Sequence, residues 1–434
     1  MLTAKARSAD SPSAVSPICN RQAVTRSNVV KNSRYSRLLF SASLRAPAPR
    51  YFRSKLFVLI AASLLSAGCA STKSPPPALT GDVIVDGKNA IAYGPAKDRV
   101  LWEYRVGLAA LRRGDFQEAK HQLDDAITRI GGVYTTDAAA KQARSFFHEE
   151  AKKTFIGEPY ERVMAYYYRG VLYWMDGELD NARACFRSAQ FQDADTENHE
   201  YAADYVLLDY LDGFATAKIG GDGSDEFVRA QKNAPRTSEP PPYYKKANVM
   251  VFLEFGRGPK KYATGRHAEQ LRFGENPSAA RSVNLRLGPQ EFPLVPYDDL
   301  QWQATTRGGR VMDHILANKA VFKSATGTAA MVAAGTSVGL ASHGNGEAAL
   351  IAGGVAIVAG ILSATTTPEA DIRAWDSLPR YLSFAALELP PGPHSLAVDF
   401  RDASGRIILT KTVTFTIAAD ATKDTVLFVS EHNS

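Results

Sequence analysis

Residues 104–126, YRVGLAALRRGDFQEAKHQLDDA, share a pattern of small and apolar side chains with residues 167–189, YYRGVLYWMDGELDNARACFRSA. In both stretches an apolar period typical of an amphipathic helix is interrupted by a glycine that precedes an acidic residue, which is typical of a turn. Each stretch therefore predicts two helices that pack against each other. The positions that match at a constant offset are Gly107 and Gly170, Gly114 and Gly177, Phe116 and Leu179, Ala119 and Ala182, Leu123 and Phe186, and Ala126 and Ala189.

These positions resemble the tetratricopeptide repeat, in which small residues allow two antiparallel helices to approach closely. The separation of the two copies exceeds the usual period of about 34 residues, and the intervening residues 135–155 predict an additional helix. A poorer third copy extends from Leu211 through Phe227 to Pro235. We therefore expect a helical domain over residues 96–236, whose stacked pairs either bind a partner or serve only as structure. The resemblance assigns helix packing to Gly107, Gly114, Ala119, Ala126, Gly170, Gly177, Ala182 and Ala189.

Strand patterns follow a proline-rich linker at residues 237–245. Val249, Val251 and Leu253 alternate along one predicted strand, which ends at Gly256. Further alternating stretches predict a small antiparallel, sandwich-like β-rich domain that also includes the strand at 249–255; it is formed by residues 246–310 and 371–434. The chain is therefore expected to be α+β, with N-terminal tetratricopeptide-like helices, a β-rich part and a helical insert.

The insert, residues 311–370, contains a Gly/Ala-rich stretch at 324–367 with a single charged residue, Glu347. Small residues recur there at fourfold spacing, which allows close helix packing in proteins and in membranes. One interpretation is a helical pair packed against the body of the protein. The alternative is a second membrane contact. The small residues at this spacing are Gly335 and Gly339, and then Ala352, Ala356 and Gly360.

The stretch LFVLIAASLLSAGCA, residues 56–70, follows a basic flank and ends on small residues and a cysteine, as secretory signals do. Its apolar core is too short to span a bilayer, which takes roughly 20 helical residues. The end of the stretch resembles the lipobox of bacterial lipoproteins. The resemblance implies a signal peptide at 50–68, cleavage between Gly68 and Cys69, and acylation of Cys69, for example with palmitate.

The lipobox resemblance also implies a location in the cell envelope. The residue after Cys69 is Ala70 rather than the aspartate typical of inner-membrane retention, which implies the periplasmic side of the outer membrane, with the inner membrane as the alternative. Residues 69–95 are then expected to be a tether, because the segment is proline-rich at its start. Residues 1–49 are either a disordered leader or lie before the true translation start.

The charge of the chain, formally +6, depends on the segment that would be removed. Residues 1–68 contain many arginines and a single acidic residue, Asp10, so the chain from Cys69 onward is net acidic. The net positive charge of the whole sequence is therefore no argument for nucleic-acid binding. The one cysteine left beyond Cys69 is Cys185, which lies in a helical pattern and is expected in the core.

One motif suggests an enzyme. Residues 335–339, GTSVG, match the G-x-S-x-G elbow of serine hydrolases, with Ser337 as nucleophile, and Asp371 and His394 follow in the usual order. The elbow requires a strand before the serine, whereas the preceding residues have a helical pattern. The histidines lack metal-ligand spacing. We therefore expect no catalytic residues, no metal and no cofactor.

Several longer stretches together resemble an uncharacterised family of proteobacterial lipoproteins with tetratricopeptide-like helices; they are residues 157–193, 251–261 and 371–398. The resemblance implies no known reaction, and it implies a process in cell-envelope or peptidoglycan assembly. We therefore expect a non-enzymatic interaction scaffold with a membrane contact through its lipid and a protein partner in the envelope. The alternative is a membrane-inserting, pore or secretion accessory protein acting through 324–367, and a serine hydrolase is the third possibility.

Overall fold

The computed structural model describes residues 77–134, 154–194, 203–234, 239–266, 268–305 and 370–433. All of these lie in one compact unit, Lys73–Ser434. Several predictions concern residues outside the described ranges. They are the leader at 1–49, the signal peptide at 50–68, the lipid acceptor Cys69, nearly all of the helix expected at 135–155, whose last two residues are described and are not helical, and nearly all of the insert at 311–370.

The first part of the described chain consists of helices that form consecutive hairpins. Helices α2 and α3, α4 and α5, and α6 and α7 pack in pairs, and each pair contacts the next. Gly114 ends α2 and Gly177 ends α4, both with left-handed φ angles, +77° and +83°, that favour glycine. The helices are α1 Val83–Tyr93, α2 Arg99–Arg113, α3 Phe116–Tyr134, α4 Pro159–Asp176, α5 Leu179–Asp193, α6 Val206–Lys218 and α7 Ser224–Asn233.

Helix α1 corrects the predicted tether at residues 69–95. The side chain of Asp82 accepts hydrogen bonds from the backbone amides of Ile84 and Val85 at 2.8 and 3.2 Å, which caps the helix. Gly87 is buried against α2, so close that a Cβ there would lie 2.3 Å from Val106. An apolar face and a cap are sufficient to order this segment, and a flexible tether can therefore extend no further than the residues before Asp82.

The strands form two four-stranded sheets and one hairpin. The first sheet has the order β10-β1-β7-β6, the second has the order β5-β4-β8-β9, and β2 pairs with β3. The short helix α8, Leu300–Thr305, follows β6. The strands are β1 Val249–Phe255, β2 Lys260–Thr264, β3 Gln270–Gly274, β4 Ser282–Leu287, β5 Gln290–Leu294, β6 Asp298–Asp299, β7 Tyr381–Leu387, β8 Gly392–Arg401, β9 Ile407–Ile417 and β10 Thr425–Ser430.

The α+β class is confirmed, but the prediction of a purely antiparallel β unit was wrong. Strand β1 pairs antiparallel with β7 and parallel with β10. A parallel pair cannot be joined by a tight hairpin, and β10 is the last strand of the chain, far from β1 in sequence. The first sheet is therefore mixed.

Strand β1 is buried on both faces, and it joins the helices to the second sheet. Val251 and Phe255 belong to the core between the two sheets, together with residues of β4 and β8. Met250 and Phe252, which point the other way, belong to the core between the first sheet and the helices. The molecule thus has three layers in the order helices, first sheet, second sheet.

The shared core changes the predicted division into domains. The first helices of the pairs, α2, α4 and α6, contact the first sheet. Phe252 and Phe384 of the sheet lie in edge-to-face contact with each other, and Phe384 contacts Phe214 of α6. The predicted linker at 237–245 therefore does not separate two independent cores, because the helices bury their inner face on the sheet.

The small residues of the matched stretches lie where the paired helices touch. A Cβ on Gly107 would lie 3.0 Å from Leu123, and a Cβ on Gly170 would lie 2.6 Å from the ring of Phe186. Both larger partners are the residues that match each other in the two stretches. Fully buried alanines complete the contacts; they are Ala119, Ala126, Ala182 and Ala189.

We expect Gly170→Ala to lower the free energy of unfolding by about 1–3 kcal/mol, because the added methyl group overpacks the buried ring of Phe186. The matched control is Gly131→Ala, since Gly131 is an exposed glycine inside α3 with open space around its Cα. That change should stabilise the protein by about 0.5–1 kcal/mol through helix propensity. Urea unfolding measures both, and a stabilising Gly170→Ala would contradict the close contact.

Candidate functional site

The site residues expected from the sequence are distributed over several places. Gly68, Cys69 and Ser337 lie outside the described residues. Asp371 forms an ion pair with Arg373 at 2.5 Å. His394 lies on β8, where its Nε2 is 2.7 Å from the carbonyl oxygen of Pro390 and its ring lies beside Phe415.

A buried ion pair joins the helices to the first sheet. Glu254, the one charged residue of β1, is fully buried, and its Oε1 accepts a hydrogen bond from Nε of Arg112 at 2.6 Å. Its Oε2 accepts from the hydroxyl of Tyr168 at 2.5 Å. Arg112 also donates to the carbonyl oxygen of Ser377 at 2.9 Å. Burial acts to raise the pKa of Glu254, but Arg112 and the hydrogen bonds from Ser430 and Tyr168 outweigh it and hold the pKa below its usual value.

A second buried pair lies at the start of α4. The ammonium group of Lys261 is 2.5 Å from Oε2 of Glu161, and both side chains are almost completely buried. Glu161 also accepts hydrogen bonds from the backbone amides of Glu158 and Trp375 at 2.7 Å each. With all of these donors in place, the carboxylate holds α4, β2 and the segment before β7 together.

Asp298 of β6 forms the third buried contact between the layers. Its two carboxylate oxygens accept hydrogen bonds from the backbone amides of Val206 and Leu207, each at 2.9 Å. The sheet thus caps the N-terminus of α6. Burial raises the pKa of Asp298 to about 7, although the two amides act in the opposite direction.

These three acids are satisfied by protein groups and lie in the interior, so they serve to hold the layers together. A different arrangement occurs at the surface, where α4 and α6 end. There the helix ends, the segment before β1 and the loop between β9 and β10 surround a recess of about 460 Å³. We name it the lysine cleft. Its charged lining residues are Lys218, Lys245, Lys246, Lys423 and Asp424.

The floor of the lysine cleft is a fixed polar cluster. Lys218, the last residue of α6, donates to Oδ1 of Asp424 and to the carbonyl oxygen of Ala247, both at 2.7 Å. Asp424 also accepts a hydrogen bond from the indole Nε1 of Trp174 at 2.9 Å. The charge of Lys218 is therefore matched by Asp424 inside the protein.

The rim of the cleft has an excess of positive charge. Lys423 is exposed, donates to the carbonyl oxygen of Met175 at 3.0 Å and covers Gly177 with its stem. Lys245 and Lys246 are exposed residues of a turn, and neither has a hydrogen bond or an ion pair with the residues that the structure describes. The cleft can therefore attract an anion without breaking an internal contact.

The described ranges contain no group of three or more His, Cys, Asp or Glu residues that could hold a metal ion. None of the helices described is both long enough and apolar enough to cross a membrane.

Sequence reasoning missed the cleft and the three buried acids. The signal for Glu254 was present, since it is a single charge inside the apolar run VMVFLEF, and a buried charge requires a partner. Lys245 is the last residue of the predicted linker and Lys246 follows it, and lysines are ordinary surface residues at such a place. Only the approach of the β9–β10 loop makes them part of a recess.

Comparison of the chain with protein-family models, with curated proteins and with solved structures found no match.

Proposed function

We propose that the chain is a non-enzymatic, lipid-anchored scaffold of the bacterial cell envelope. In this proposal Cys69 carries the lipid, the protein faces the periplasm at the outer membrane, and its partner is a protein of cell-envelope or peptidoglycan assembly. The inner membrane is the alternative location. The observation that carries the proposal is the lysine cleft, an open recess whose rim has unpaired positive charge and whose floor is held by Lys218, Asp424 and Trp174.

The hairpins support the proposal in a specific way. They have the paired helices and close glycine contacts expected of tetratricopeptide-like repeats, but their first helices pack on the protein's own sheet. In our proposal the partner therefore binds outside this inner face. The three buried acids hold the helices and the sheet in one arrangement, which is what a preorganised binding surface requires.

The test uses the complete chain, with and without Cys69→Ala. We expect the wild-type protein to be in the membrane fraction and the variant to be released, because two or three acyl chains give stable anchoring at about 0.8 kcal/mol per buried CH₂. Mass spectrometry of the mature N-terminus should find acylated Cys69. Release of the wild-type protein, or an unmodified Cys69, would refute the anchor.

The scaffold itself is tested by affinity enrichment of the wild-type protein from detergent-solubilised envelopes. We expect one partner at a defined stoichiometry. Truncation after residue 238 is unsuitable as a control because it would expose the inner face of the helices. The enrichment therefore uses the full chain, and the absence of any enriched partner would refute the scaffold.

A second candidate is a membrane-inserting accessory protein acting through residues 324–367. Its support is the apolar composition of the insert and the place where its flanks leave the body. Helix α8, which precedes the insert, contacts β3, and the amide of Ala370, the last residue of the insert, donates to the carbonyl oxygen of Ala268 in the β2–β3 turn. If insertion occurs, carbonate washing leaves Cys69→Ala in the membrane. Release of the variant would exclude this candidate.

A further inference from the structure

We propose that the lysine cleft binds an extended acidic segment of a partner protein. The inference rests on the proposed scaffold function and specifies the chemistry of the contact. It follows from three features of the cleft. They are the unpaired positive charge at the rim, the C-termini of two helices at the floor, and an apolar wall.

The first feature is charge that the protein itself leaves unmatched. In a chain that is net acidic from Cys69 onward, the cleft collects Lys218, Lys245, Lys246 and Lys423 around a single lining acid, Asp424. Asp424 is already bonded to Lys218 and Trp174. The positive potential of the rim is therefore available to a ligand, and charges of this kind guide the approach and orientation of an anionic partner.

The second feature excludes a compact anion from the floor of the cleft. Helices α4 and α6 both end there, at Asp176 and Lys218, and helix C-termini carry a partial negative charge of about 0.5 elementary charge. The negative charge of Asp424 is balanced by Lys218, so the floor offers no net positive charge to an anion. A phosphate group would be repelled from the floor, so the anionic groups of a ligand belong at the rim, beside Lys245, Lys246 and Lys423.

The third feature is an apolar wall formed by other residues of the lining. It consists of small apolar side chains and a half-exposed aromatic ring, Tyr243, which stacks on Phe227. A chain that places carboxylates on the rim and apolar side chains on this wall satisfies both surfaces. An extended acidic peptide has that alternation, whereas free phosphate lacks the apolar part. The small apolar residues of the wall are Ala217, Ala418, Ala419 and Ala421.

The test measures binding of a fluorescein-labelled peptide of alternating Glu and Ala to the full chain by fluorescence anisotropy. Lys245→Glu/Lys246→Glu should weaken binding by at least about tenfold, because rim charges govern association with a charged partner. The matched control is Lys232→Glu/Lys260→Glu, which changes the net charge equally at two exposed lysines outside the cleft, and it should change the affinity less than about twofold. Thermal unfolding of both double variants checks that they remain folded.

Carbodiimide coupling, which joins a carboxylate to a lysine amine in direct contact, locates the peptide. We expect the coupled lysines to be Lys245, Lys246 or Lys423, and coupling elsewhere would overturn the proposal. Equal weakening by both double variants would also overturn it, since binding would then follow net charge alone. A like peptide of alternating Lys and Ala should not bind.

Two further arms separate other sources of negative charge. Inorganic phosphate and phosphatidylglycerol vesicles are tested as competitors of the peptide, and acetate at the same concentration of negative charge is the control. Stronger competition by phosphate or by the vesicles than by acetate would overturn the peptide assignment. The scaffold is judged separately. If the wild-type chain enriches a partner and Lys245→Glu/Lys246→Glu enriches it equally, the cleft assignment fails and the scaffold remains; if wild type enriches none, the scaffold fails whatever the peptide does.

Discussion

Replacing Glu254 with alanine should lower the free energy of unfolding by about 3–5 kcal/mol, which is the typical loss when one partner of a buried ion pair is removed. The variant leaves the guanidinium of Arg112, whose side chain is only 6% exposed, without its carboxylate. It also removes the acceptor of the buried Tyr168 hydroxyl. Urea unfolding followed by circular dichroism measures the change.

Two comparisons establish that the loss comes from an unpaired buried charge. Arg112→Met/Glu254→Leu should recover a large part of the stability, because replacing a whole buried pair by apolar side chains is often neutral or stabilising. Arg406→Met breaks the Arg406–Asp402 pair, in which Arg406 is 78% exposed, and should leave the stability close to wild type. A double variant as unstable as Glu254→Ala would contradict the ion-pair explanation.

Replacing Asp298 with asparagine should remove a large part of the pH dependence of stability. The folded protein holds the Asp298 proton up to about pH 7, whereas in the unfolded chain the group has its ordinary pKa, 3.8. Between these values the folded state binds the additional proton, so wild-type stability falls as the pH rises from about 4 to 7. The slope approaches about 1.4 kcal/mol per pH unit, and the total approaches about 4 kcal/mol.

The measurement is urea unfolding of wild type and Asp298→Asn at pH 4.5 and pH 7.5. The variant is expected to lose some stability at both pH values, because an amide can accept only one of the two hydrogen bonds from α6. Its stability relative to wild type should nevertheless improve as the pH rises. Asp420→Asn, at an exposed position in the β9–β10 loop, controls for the removal of a carboxylate. Parallel pH profiles for wild type and Asp298→Asn would contradict the raised pKa.

The helical hairpins were predictable because their information is local. Gly114 and Gly177 adopt the left-handed conformation that ends a helix. Small residues lie against Leu123 and Phe186. Both signals can be recognised within one short stretch of sequence. The alternation of β1 was predictable for the same reason. Helix α1 could have been recognised from Asp82, since a capping aspartate before an apolar run is a helix start.

The layers and the lysine cleft were not predictable in this way. Met250 on one face and Val251 on the other show that both faces of β1 are apolar, but not that one face meets helices and the other a second sheet. Nothing near Lys245 indicates that Asp424, almost two hundred residues later, lies in the same recess. Contacts of this kind depend on the parallel pairing of β1 with β10, which joins the middle of the chain to its end.

By itself the sequence determined the α+β class, the hairpin turns and the alternation of the strands, because short-range sterics and periodic apolar side chains specify these features. Only the tertiary structure decided that the helices bury their inner face on the protein's own sheet. It also decided that Glu254 and Asp298 are buried acids with opposite shifts of pKa, and that lysines from separate segments share one cleft. The physical reason is that burial and electrostatic potential are set by neighbours distant in sequence, and those neighbours are chosen by the packing of whole layers.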